Sequence, residues 1–251
     1  MAVAGQVEHP ERLSTLDISY RSEGTRLSAY LARPREDGPH PAIIICHDVF
    51  GLSDHARDVA RRFANVGFVV LVPDGFARLD LSPDESKIRG RGGLLEDRLT
   101  VADLDHGADL LRALPYCSGK VGCVGFCMGG RNSLLWACSS SKVDAAIACW
   151  AGFITGDNSP LHPTAVVDLV GQLKIPVYAV FGAEDQNPSP AHSAELRQKL
   201  EAAGKLGLVT METFAGCGHA FFADHRPEMY REKASFELWP KMVTFFKQHL
   251  K

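Results

Sequence analysis

The segment KVGCVGFCMGGR, residues 120–131, places a cysteine between two glycines where an apolar run gives way to a helical pattern. Gly125-Phe126-Cys127-Met128-Gly129 has the G-x-nucleophile-x-G form of a sharp strand-to-helix elbow. Chemistry needs glycine at those two positions because side chains beside the nucleophile would collide with neighbouring backbone, and the strained turn pushes the sulfur outward. The elbow also sets Cys127 near a helix N-terminus, whose partial positive charge favours negative charge on sulfur, and the thiolate is the nucleophilic form. The bland reading of a cysteine after a strand is a small core residue. The flanking glycines favour the reactive reading.

A nucleophile in such an elbow needs an acid and then a histidine later in the chain. Val177 to Phe181 is strand-like and leads into Gly182-Ala183-Glu184-Asp185, so Asp185 falls on the loop at a strand's carboxyl end, with Glu184 as the competing choice. Both carboxylates could instead be solvated turn residues. Leu208 to Thr213 is the next strand-like run, followed by Gly216-Cys217-Gly218-His219. Among the ten histidines, His219 alone follows a late strand inside a glycine-rich turn. His55, His106, His192 and His225 sit in helical or polar stretches and read as surface residues.

A fourth element, His47-Asp48-Val49-Phe50-Gly51, follows the apolar run Ala42 to Cys46. It stands where this arrangement supplies the second amide of an oxyanion hole, the two donors being the backbone N–H groups of Val49 and Met128. One such donor stabilises a transition state by about 3 kcal/mol. An ordinary turn with Ser53 or Asp54 as helix N-cap would look the same, and both readings can hold together.

The elements that must position these residues alternate along the chain. Residues 15–20 and 27–33 form an opening antiparallel hairpin of edge strands around Gly24. Short runs rich in Val, Ile and Ala follow at 42–46, 68–73, 121–126, 145–150, 177–181 and 208–213, and read as strands buried on both faces. Amphipathic stretches at 53–65, 95–114, 131–140, 191–203 and 235–249 are the flanking helices. Residues 74–93 and 153–163 are irregular rim loops, and Gly90, Gly92 and Gly93 suit the first of them to act as a lid. Trp136, Trp150 and Phe153 either line the pocket or pack the core, and core packing is the favoured reading for each.

Composition narrows the function classes. The chain has 251 residues, 45% hydrophobic and 23% charged, with net charge -3, enough for one domain spanning 1–251 with a sizeable core. Lysine and arginine are scattered, which argues against nucleic acid. No run of about 18 apolar residues occurs, and the first residues lack a signal-peptide pattern, so no membrane partner and a cytoplasmic location are expected. Seven cysteines, an odd number, favour free thiols in a reducing compartment. Their spacing does not match a zinc site, so no metal is expected.

With the strand before HDVFG (47–51), VLVPDGFAR (70–78), PYCSGKVGCVGFCMGG (115–130), GAED (182–185) and AGCGHAFF (215–222), the chain resembles the dienelactone hydrolase family, the carboxymethylenebutenolidases. The resemblance extends over nearly the whole length. It implies an α/β-hydrolase fold: a mostly parallel central sheet flanked by helices, with an N-terminal antiparallel hairpin. It implies a Cys127-Asp185-His219 triad hydrolysing a small-molecule ester or enol-lactone, such as dienelactone to maleylacetate, without a cofactor; a monomer and a homodimer are both open. It implies an acid in HDVFG that restrains the resting thiol; family members usually have glutamate there, and here it is Asp48. It further implies basic residues holding a substrate carboxylate. Arg78, Arg89 and Arg91 are the upstream candidates, whereas after His219 the chain reads Ala220-Phe221-Phe222-Ala223 with no arginine before Arg226. Phe50 and Phe221 are candidates for the substrate wall. A related carboxylesterase or thioesterase acting on a less anionic acyl group would use the same three residues, and a non-catalytic ligand-binding protein of this fold would leave Cys127 unreactive toward iodoacetamide.

Overall fold

The computed structural model describes residues 2–79, 91–156 and 159–251. Eight strands, β1 (Leu13–Ser22), β2 (Thr25–Pro34), β3 (His40–Cys46), β4 (Val69–Pro73), β5 (Cys117–Phe126), β6 (Ala145–Cys149), β7 (Val177–Gly182) and β8 (Val209–Phe214), form one sheet. Its order is β1-β2-β4-β3-β5-β6-β7-β8. The hairpin β1–β2 turns through Glu23 and Gly24, both at positive φ (46° and 78°), the backbone a two-residue hairpin turn requires. β2 then pairs antiparallel with β4, and all later pairings are parallel. The expectation that both hairpin strands lie at the edge is therefore corrected: β1 is the edge, and β2 is hydrogen-bonded on both sides.

The helices are α1 (Asp54–Asn65), α2 (Asp97–Ala113), α3 (Met128–Ser139), α4 (Val166–Leu169), α5 (Pro190–Ala202) and α6 (Glu232–His249). Consecutive strand residues face opposite layers: Ile44 packs in the core with Leu104, Ala108 and Leu134, from α2 and α3, while Ile43 and Ile45 pack with Val59 and Phe246, from α1 and α6. All three isoleucines are buried, which explains the unbroken apolar run, since a parallel strand covered on both faces has no polar side. Truncating one of them to alanine would cost about 2–5 kcal/mol.

From β3 the chain crosses through α1 to β4 on one side, and β5 lies on the other. The reversal opens a crevice beyond the carboxyl ends of β3 and β5, the place where such sheets bind ligands. Ser53 caps α1, its hydroxyl accepting the Ala56 amide at 3.3 Å. α3 begins at Met128, three residues earlier than the sequence pattern suggests, because Gly129 and Gly130 are poor helix formers in isolation and are recruited by packing against β3 and β6. Segment 80–90, on which the lid expectation rests, lies outside the described residues.

Candidate active site

Cys127 sits between β5 and α3 with φ 58° and ψ −119°. A non-glycine residue there costs about 1–3 kcal/mol, and the surroundings enforce it. Its amide donates to the Cys149 carbonyl at 3.1 Å, tying the turn to β6. A Cβ on Gly125 would lie 1.8 Å from the Gly129 carbonyl oxygen, and one on Gly129 would lie 1.8 Å from the Cys46 carbonyl oxygen. Neither position can hold a side chain, and the two close approaches press the start of α3 against the end of β3.

Asp185 lies three residues beyond β7 and is buried, whereas the competing Glu184 is exposed. Its Oδ1 accepts the Asn187 amide at 2.9 Å. Its Oδ2 accepts Nδ1–H of His219 at 2.8 Å, which directs the opposite ring nitrogen away from the carboxylate. His219, half-buried between β8 and α6, has its pKa raised to about 10: burial works against the charged ring, but interactions with Asp185 and with Cys127 outweigh it. The structure thus brings together Cys127, Asp185 and His219 from the ends of three strands.

Cys127 and His219 open into a cavity of about 380 Å³. Ile45, Val59, Phe126, Trp150 and Phe222 give it an apolar floor, and His47, Asp48, His55, Cys127, His219 and Arg226 are the ionisable groups that line it. Val49 lines it too, and the side chains of Val49 and Met128 pack in one small cluster with Phe76 and Leu95, so the two candidate oxyanion amides belong to neighbouring backbone. The Met128 amide, in the first turn of α3, has no intrahelical acceptor.

Asp48 lines the cavity, but its Oδ1 accepts the Phe50 amide at 2.9 Å. Burial raises its pKa; the Phe50 amide, His47, His225 and Arg226 pull the other way. Its hydrogen bond serves its own loop.

Phe50 lies at the mouth of the cavity, with the Arg226 guanidinium 5.5 Å from its ring centroid. Phe221 does not line the cavity: it is fully buried against Trp150 and Phe214, and Phe222, the next residue after the positive-φ turn at Ala220 (φ 56°) and Phe221, takes the wall position. Arg78 is also turned elsewhere. Its guanidinium is paired with Asp103 of α2 and bonded to Thr25 and the Ser22 carbonyl, so it fastens the hairpin to α2. Arg89 and the side chain of Arg91 lie outside the described residues.

His55, expected at the surface, and Arg226 are cavity residues that the sequence did not assign to the site, whereas His225 is exposed as expected. His55 lines the cavity, and the His225 ring lies against it, tilted by 31°, with ring centroids 4.1 Å apart. Burial and His225 lower the pKa of His55 to about 4. Arg226 lines the cavity and meets Glu228 at 3.5 Å. The signal for His55 was its place in the first turn of the helix after β3; Arg226 had none short of the tertiary path. Phe153, expected in the core, is 64% exposed, while Trp136 is buried as expected. Among the described residues no cluster of three or more histidine, cysteine or acidic side chains is placed to hold a metal, and no helix is long and apolar enough to cross a membrane.

A sheet of this order with a strained elbow at the end of β5 defines an α/β hydrolase. The dienelactone hydrolase family model matches residues 27–250, and the chain belongs to that family. A protein of Escherichia coli K12 named "Putative carboxymethylenebutenolidase" is 34% identical over 237 residues, 92% of this chain and 86% of its own. A Yersinia pestis protein of the same name is 33% identical over 259 residues, 99% of this chain and 96% of its own. The crystal structure titled "Putative Dienelactone Hydrolase" from Klebsiella pneumoniae superposes with a TM-score of 0.86 at 31% identity, covering 94% of this chain and 99% of that one. The chain is a carboxylic-ester hydrolase of the carboxymethylenebutenolidase type.

Proposed function

We propose that the enzyme cleaves a small ester or enol-lactone through Cys127, with a thioester intermediate. The Cys127 thiol passes its proton to His219 and the thiolate attacks the acyl carbon, the carbonyl electrons move onto oxygen, and the amides of Val49 and Met128 stabilise that oxyanion. Collapse breaks the C–O bond, and His219 gives a proton to the departing oxygen. Water then attacks the thioester, His219 takes its proton, and the acid leaves as the C–S bond breaks. Asp185 fixes the His219 tautomer and stabilises its charged form. The observation that carries this reading is His219 held between Asp185, at 2.8 Å, and Cys127 at the mouth of the elbow.

The apolar floor favours a small hydrophobic acyl group, and among the described residues Arg226 is the arginine or lysine that lines the cavity, where a substrate carboxylate would lie. Its contact with Phe50 and its pairing with Glu228 favour, as a second reading, a substrate whose acyl part is neutral. Hydrolysis of a dienelactone and of a short p-nitrophenyl ester, each by wild type and Cys127→Ala, separates the two. Preference for the lactone supports the anionic substrate, and preference for the ester supports the neutral one. Full activity of Cys127→Ala on either would end the proposal.

A further inference from the structure

His47 is buried, and both of its ring nitrogens are committed to backbone. Nδ1 lies 2.7 Å from the Asp48 carbonyl oxygen, and Nε2 accepts the Gly75 amide at 2.9 Å. A carbonyl can only accept and an amide can only donate, so the ring carries its proton on Nδ1. Phe76 packs against the ring at 5.0 Å between centroids.

The Asp48 carbonyl and the Val49 N–H belong to one peptide unit. That unit is planar and trans, so its C=O and N–H point in opposite directions. Holding the carbonyl from behind therefore aims the amide forward, and Val49 borders the cavity. The Gly51 amide donates to the same carbonyl at 3.1 Å, so the oxygen is gripped from its own loop and from His47. The other end of the grip is firm. The Asp74 amide donates to the Ser28 carbonyl of β2 at 2.8 Å, and Asp74 Oδ1 accepts the Phe76 amide at 3.1 Å, so the turn that holds His47 is fastened to the sheet.

We infer that His47 is a positioning residue that locks the Asp48–Val49 peptide plane and so presents the Val49 amide to the oxyanion. The inference rests on the proposed attack by Cys127, with Val49 as one of two donors. An oxyanion donor contributes only when a tetrahedral centre forms, so losing its aim lowers kcat and leaves substrate binding alone.

The test compares His47→Ala, His47→Asn and His47→Gln on a p-nitrophenyl ester, with alkylation of Cys127 by iodoacetamide measured in parallel. Alkylation requires the sulfur but forms no oxyanion. Asparagine can place an N–H near Nδ1 and hold the Asp48 carbonyl; glutamine reaches the Gly75 amide instead. His47→Ala and His47→Gln should lose about 10- to 100-fold in kcat with KM within about twofold, a fraction of the 10²–10³ of a deleted donor. His47→Asn should recover to within about fivefold of wild type, and all three should alkylate at the wild-type rate. Should His47→Ala not fold, the contrast between Asn and Gln decides. Equal activity of Asn and Gln, a kcat for a folded His47→Ala within twofold of wild type, or alkylation that falls with kcat would each overturn the lock. Cys127→Ala is run alongside: its full activity would remove the underlying mechanism, whereas an inactive Cys127→Ala with undiminished His47 variants removes the lock alone.

Discussion

The loops that leave β7 and β3 each carry an aspartate whose Oδ1 accepts the amide two residues ahead, Asn187 in one case and Phe50 in the other, both at 2.9 Å. From that shared turn they diverge. In the loop after β7 the second oxygen of Asp185 is met by His219, arriving from the end of β8, and the result is an oriented imidazole. In the loop after β3 the histidine precedes the aspartate and bonds its main-chain carbonyl, so what becomes rigid is a peptide plane. One loop delivers a side chain and the other an amide. An aspartate cap supplies rigidity to a strand-end loop, and the function depends on which group of that aspartate the neighbouring histidine reaches.

The comparison breaks most severely at Asp185. Asp185→Asn keeps the turn, since its oxygen can still accept the Asn187 amide, but it offers His219 no carboxylate. A drop in kcat of at least about 10² is expected, by analogy with triads in which the acid fixes the tautomer. The variant also removes the interaction that most raises the His219 pKa, so the ring should titrate well below about 10, and the alkaline limb of a kcat/KM profile should move to lower pH. Steady-state kinetics across pH 5–10 checks both.

Asp48 sharpens the comparison from the other side. Asp48→Asn retains an acceptor for the Phe50 amide and leaves the main-chain carbonyl that His47 holds, so kcat and KM should stay within about threefold of wild type. A loss as large as that of Asp185→Asn would show that the Asp48 carboxylate acts on the reaction itself. The paired variants, assayed on one ester, give the ratio directly.

The fold was legible because its strands are short Val- and Ile-rich runs with helical stretches between them, and the glycines of the elbow could be read before their contacts were known. The three strand-end residues could be singled out because each follows a strand at a turn. Side chains placed by tertiary partners were not legible. Arg78 looked available for a substrate, yet Asp103, a helix residue 25 positions later, claims it. His55 reaches the cavity from the first turn of α1, and Arg226 only through the path of residues 220–228. Phe222, not Phe221, lines the cavity, in an irregular turn where Ala220 has a positive φ and no strand or helix period applies. Sequence periodicity reports which face of a regular element is buried and carries little about irregular turns, where this site gathers its wall.

Covalent trapping reaches the central claim most directly. Wild type is mixed with an activated short-chain ester, quenched in acid within milliseconds and digested, and the peptide containing Cys127 is weighed. The account predicts an added acyl mass on Cys127 that decays as product forms and is missing from Cys127→Ala, which should be inactive. Steady hydrolysis with no acyl mass on that peptide at any quench time, together with an active Cys127→Ala, would contradict it.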